Sequence, residues 1–159
     1  MQWVDFLRWA HVLGATVLFG TGLGIAFFMY RAHRTGIPSL IAHVTSTVVV
    51  ADGVFTATAV VFQPITGFAL VLHVGWPLTE GWILLSLLLY ALAGIFWLPV
   101  LWIQLKVRDI TRSAARAGEP LPELYQRLFR LWFACGWPAF IAVLLILWLM
   151  VNKPSFAIL

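Results

Sequence analysis

The chain has 159 residues, 62% of them hydrophobic and only 10% charged, with a mean hydropathy of +0.97. A soluble domain is about a quarter charged, so this composition excludes an ordinary water-soluble fold. The net charge of +4 sits in runs between apolar stretches, which is a membrane pattern and not a nucleic-acid footprint.

Four apolar stretches cover residues 4–30, 41–73, 81–105 and 129–151. Each meets the requirement of about 20 apolar residues for crossing the hydrocarbon core. In lipid each span must satisfy its own backbone hydrogen bonds, so the spans are predicted to be helices. The expected fold is one all-α transmembrane domain, a four-helix bundle with its N- and C-termini outside.

The first stretch carries Asp5, Arg8 and His11 near its start. It is too long for the core of a signal peptide and reads as a mature helix. Arg31 and Arg34 follow it, and residues 35–39 (Thr-Gly-Ile-Pro-Ser) form a turn, with Ser39 as a helix cap. The second stretch would extend about 50 Å as one helix. It must tilt, kink near Pro64 and Gly67, or protrude. Gly75-Trp76-Pro77 makes the next turn.

After the third stretch come Lys106, Arg108, Arg112, Arg116, Arg127 and Arg130. Eight cations in the first and third connections face two, Arg8 and Lys153, at the other side. The positive-inside rule puts the basic connections in the cytoplasm. The expected location is a bacterial inner membrane. The last helix begins near residue 123, just after Pro122, and its opening mixes apolar and basic residues. Pro64, Pro99 and Pro138 should each bend a span. Trp3, Trp76, Trp82 and Trp102 lie near span ends and suit the headgroup region. Cys135 is the lone cysteine, which excludes an intrachain disulfide.

Ionisable groups inside spans are rare and functional by default. His11 shares a helix face with Gly14, Ala15, Leu18, Thr21 and Gly22. That small-residue face suits either a planar cofactor beside a ligand or a closely packed second helix, as does the Gly20-xxx-Gly24 pattern. His73 ends the second stretch in the same half of the bundle as His11. Two neutral imidazoles on facing helices can ligate one haem iron. Their depths differ, about 12 Å from Trp3 for His11 and about 5 Å from Trp76 for His73. His73 can equally be an interfacial side chain. Arg8, one turn before His11, can meet an acidic group or pair with Asp5.

Asp52 is the only acid well inside a span. It must be neutral or paired with a cation such as Arg31 or Lys106. It serves either as a proton relay or as a helix-packing hydrogen bond. Thr56, Thr58, Gln63 and Thr66 continue a polar trail from it. His33 is expected to be solvated, and His43 can face the bundle. No metal-binding, nucleophile-elbow, P-loop or dinucleotide motif is present.

The opening Leu7-Arg8-Trp9-Ala10-His11-Val12-Leu13-Gly14 is similar to that of the HemJ-type protoporphyrinogen oxidases and CopD-like membrane domains. Pro64-Ile65-Thr66-Gly67, Gly75-Trp76, Trp82-Ile83-Leu84-Leu85 and Gly136-Trp137-Pro138-Ala139 resemble later parts of the same group. Trp97-Leu98-Pro99 followed by Gln104-Leu105-Lys106-Val107-Arg108-Asp109 resembles a bacterial family of integral membrane proteins of unknown function. The HemJ resemblance implies haem b and carries the haem-ligand role onto His11. Ser86 stands where those oxidases have a lysine, and Tyr30-Arg31 where they have a histidine, so haem binding carries over better than the oxidase reaction.

The expectation is a haem b protein with a redox or electron-transfer role. His11 and His73 would be the iron ligands. Arg8 would meet a propionate, Gly14 and Thr21 would flank the cofactor, and Asp52 would move protons from the cytoplasmic side. Two alternatives stand beside it. One is a non-catalytic subunit or scaffold, forming a homo-oligomer or joining a larger membrane complex through its small-residue face. The other is a CopD-like transporter, although the three methionines are scattered rather than clustered as soft copper ligands.

Overall fold

The computed structural model describes residues 2–155. Its elements are α1 (Gln2–His33), α2 (Pro38–Ala51), a π-helical turn (Asp52–Thr56), α3 (Ala57–Val74), α4 (Gly81–Ala117) and α5 (Glu123–Asn152). α2, the π turn and α3 are continuous and form one span. Four helices are thus long and apolar enough to cross a membrane, and the all-α four-span architecture is what the hydropathy predicts.

The helices outrun their apolar stretches. α4 has 37 residues, about 55 Å, against a hydrocarbon core of about 30 Å. It carries Lys106, Arg108, Arg112 and Arg116 on its end rather than in a loop. Gly118, at φ 67°, stops α4, and Gly75, at φ 82°, stops α3. Both are left-handed positions that glycine takes without a Cβ penalty. At the first turn Ser39 is not the cap. Ile37 holds the extended cap position and Pro38 is the first helical residue, because its fixed φ already starts the helix.

The two basic connections share one end. His33, closing α1, hydrogen-bonds the hydroxyl of Tyr125, opening α5, at 2.9 Å. Arg112 Nε, late in α4, donates to Ser46 Oγ of α2 at 2.9 Å. At the opposite end the Lys153 ammonium lies 4.5 Å from the centre of the Trp76 ring. His33 is not simply solvated. Its ring stacks on Phe129 with centroids 3.8 Å apart and planes within 8°. His43 is exposed and does not face the bundle.

The apolar core is in two parts. A large cluster at the basic end includes Met29, Ile41, Val48, Ile103, Val107, Tyr125, Phe129 and Trp132. A smaller one at the opposite end joins Val71, Trp82, Ile83 and Leu149. Trp82 therefore differs from the expected headgroup anchor. It is buried, edge-on to Trp76 at 5.1 Å, while Trp3 and Trp102 are exposed as anchors are.

Pro64 lies inside α3 without breaking it. A proline has no amide hydrogen, so the carbonyl four residues earlier loses its helical partner. That carbonyl belongs to Val60, and the Tyr90 hydroxyl of α4 donates to it. The irregularity of the second span falls instead at Asp52–Thr56, where the Ala57 amide bonds back five residues to the Asp52 carbonyl.

α1 and α3 approach closely because two glycines let them. A Cβ on Gly14 would stand 2.4 Å from Gln63 Nε2, and one on Gly67 would stand 3.3 Å from the His11 ring. Gln63 uses that space to donate from Nε2 to the His11 backbone carbonyl at 2.9 Å. Gly20 and Gly22 meet nothing within 4 Å.

Two predictions follow from this packing. Tyr90→Phe leaves the Val60 carbonyl without a donor and should lower stability by about 1 kcal/mol, the scale of interhelical hydrogen bonds in membranes. Gly14→Ala should cost a similar amount by displacing the Gln63 amide, whereas Gly20→Ala should be near neutral. Reversible unfolding in mixed micelles measures both, and equal effects at Gly14 and Gly20 would contradict the packing described.

Candidate functional site

A belt of buried polar and small residues separates the two apolar clusters. Along one face of the second span lie Asp52, Thr56, Ala59, Gln63 and Thr66, each less than a tenth exposed. Thr45 begins the same face at the basic end, where its hydroxyl lies 3.3 Å from that of Thr111 on α4. Thr58 leaves the trail. It is exposed and donates to its own helix at Val54 O.

His11 enters this belt from α1. Its Nδ1 is 2.8 Å from Thr66 Oγ1. The Thr66 hydroxyl is also 2.9 Å from the Phe62 carbonyl, four residues back in α3. A hydroxyl has one hydrogen and a carbonyl only accepts. Both contacts are satisfied when Thr66 donates to Phe62 O and His11 donates from Nδ1 to Thr66. The reverse arrangement, with the Thr66 hydroxyl donating to Nδ1, gives up its bond to Phe62 O. In the tautomer that makes both contacts the proton is on Nδ1, and Nε2 carries a lone pair with no hydrogen-bond partner among the described residues. The ring is half-buried and rests on Gly67.

His73 has the same tautomer for a simpler reason. Its Nδ1 lies 2.8 Å from the Ala69 carbonyl of its own helix, which can only accept. Its side chain is exposed. It lies seven residues beyond Thr66, about 10 Å along α3. The two histidines are therefore on the α1–α3 side of one half of the bundle, at different depths.

Other predicted residues do different work. Gly14 is filled by Gln63 and Phe62 and is a helix contact, not a free platform. Thr21 is half-buried and makes no side-chain hydrogen bond among the described residues. Arg8 pairs with Asp5 at 3.3 Å, both about 60% exposed, which is the simpler of the two readings for it. Ser86 is buried and donates to Trp82 O in its own helix. Among the described residues no group of three or more His, Cys, Asp or Glu could hold a metal ion.

Asp52 is 3% exposed, on the first residue of the π turn. Neither Arg31 nor Lys106 pairs with it. The ion pairs among the described residues are Arg8–Asp5, Arg108–Asp109 and Arg127–Glu123. Its partners are neutral. Trp132 Nε1, which can only donate, turns the oxygen of the Gln104 amide toward itself at 3.3 Å. The amide nitrogen then donates to Asp52 Oδ2 at 3.0 Å. The Trp97 side chain and the Thr56 hydroxyl also face the carboxyl. The Thr56 oxygen makes no well-formed hydrogen bond, although it is buried. Three spans thus meet at one carboxyl.

Sequence spacing marks His11, Asp52, Gln63 and Thr66 but misses Gln104 and Tyr90. Both sit in otherwise apolar runs, as a lone amide and a lone phenol, and those isolated polar positions are the only signal the sequence offers for them.

No curated protein and no solved structure matches the chain. The profile of the family described as predicted integral membrane protein, DUF2269, matches residues 5–154. With nearly its whole length matched, the chain belongs to that family of predicted integral membrane proteins.

Proposed function

We propose that the protein binds haem b through His11 and serves a redox or electron-transfer role in the membrane. The observation that carries this reading is the His11–Thr66–Phe62 hydrogen-bond chain. A histidine that ligates a metal uses a neutral ring, with its second nitrogen donating to an oxygen that fixes its orientation. His11 meets that requirement, with Nε2 the ligating atom. His73 meets it too, through Ala69 O, and is the candidate second ligand.

Haem, when bound, supplies a one-electron iron couple. The chain's own residues supply the rest. Thr66 holds the His11 proton on Nδ1. Gln63 fixes the local backbone of α1. The buried belt keeps bulk water away from the ring. Gly14 plays no part in this reading, since Gln63 fills its face, and Arg8 takes part only by leaving Asp5.

A second reading is favoured by a different observation. Gly20 and Gly22 have open space where a side chain would point, and Gly24 meets only its neighbour Phe28. Small-residue faces of this kind let membrane helices from another copy or subunit approach. In that reading the protein is a scaffold, and Gly20→Leu should dissociate the assembly while leaving the fold intact.

The deciding experiment is the absorption spectrum of gently purified protein from cells supplied with haem precursor, before and after dithionite. The haem reading predicts a Soret band and a sharp reduced α-band. His11→Ala should abolish or strongly shift both, and Thr66→Val should shift them. A featureless spectrum from folded protein would overturn the reading, and Gly20→Leu would then test the scaffold.

A further inference from the structure

We propose that Asp52 and Thr56, set together on the π turn, form a reversible protonation site inside the membrane. The proposal goes beyond the haem reading and does not depend on any group at His11.

The chemistry of the neighbours selects a proton over a metal ion. A cation site needs converging acceptors. Asp52 instead faces donors, the Gln104 amide nitrogen, held that way by Trp132, and the Trp97 indole. No basic side chain of α1, α3, α4 or α5 pairs with it. The titratable groups that these elements carry inside the bundle are already engaged or set apart. His11 of α1 bonds Thr66, Tyr90 of α4 bonds Val60 O, and Cys135 of α5 packs on the apolar cluster.

Thr56 separates a protonation site from a mere packing contact. Thr56 is 5% exposed, and its buried hydroxyl lacks a well-formed partner. A buried polar atom left so is costly in hydrocarbon. A hydroxyl, unlike an amide nitrogen or an indole, can reverse its role. With Asp52 protonated, the carboxyl O–H donates to Thr56 Oγ1. With Asp52 ionised, the Thr56 O–H donates to the carboxylate. The two states differ by one proton, taken from or given to water, and both satisfy Thr56. π turns recur at functional positions in helices.

Infrared spectroscopy of the full chain in lipid bilayers tests the site. Wild type should show a protonated-carboxyl C=O band that titrates with pH and shifts in D2O. Asp52→Asn should remove it. Thr56→Val, which keeps the shape and removes the hydroxyl, should shift the band and its titration midpoint. Circular dichroism establishes that each variant is folded. A band that survives Asp52→Asn, that never titrates, or that ignores Thr56→Val would overturn the site.

Discussion

A hydrocarbon solvent offers no hydrogen-bond partners, so every polar group in a span must find one within the protein. The interior of this bundle is arranged around that constraint. Pro64 frees a carbonyl, and Tyr90 from another helix takes it. Gly14 leaves a gap, and Gln63 enters it to reach the His11 carbonyl. Asp52 is met by Gln104, which is in turn oriented by Trp132. These contacts join α1 to α3, α3 to α4, and α2 through α4 to α5. Apolar packing makes the helices adjacent, and the polar partners fix which residues face each other.

The same constraint explains where chemistry can reside. The apolar clusters occupy the two ends of the bundle. The belt between them holds the His11 imidazole and the Asp52 carboxyl, with the unpartnered Thr56 hydroxyl beside the carboxyl. Side chains placed there cost several kilocalories per mole on insertion scales, about 3 for an aspartate at mid-span. Packing alone has cheaper solutions, because a buried pair can often be replaced by apolar residues of similar volume without loss.

Much of this was legible in the sequence, for definite reasons. Spans are legible because hydropathy is a property of windows, and the charge asymmetry of the connections is readable by counting. His11 and Asp52 stand out because ionisable residues within spans are few. Pairings were not legible. Nothing in the spacing of Asp52 says that a neutral amide of α4, not Arg31 or Lys106, will meet it. Trp82 looked like an anchor because it lies near a span end, yet the turn at Gly75 folds it inward against Val71 and Leu149. Gly14 and Gly20 look alike in the sequence, but only Gly14 faces another helix. The π turn has no sequence signature that separates it from the Pro64 kink expected in its place.

A free Nε2 on His11 is what would let it act as a ligand rather than a packing residue, so the protonation state of this one ring matters most. Nitrogen NMR of 15N-histidine-labelled protein in bilayers, with the His11 signal assigned by His11→Gln, reads that state directly. The account predicts a protonated Nδ1 and an unprotonated Nε2 in protein free of bound metal, with the preference lost in Thr66→Val. A protonated Nε2 on His11, or a tautomer mixture unchanged by Thr66→Val, would contradict it.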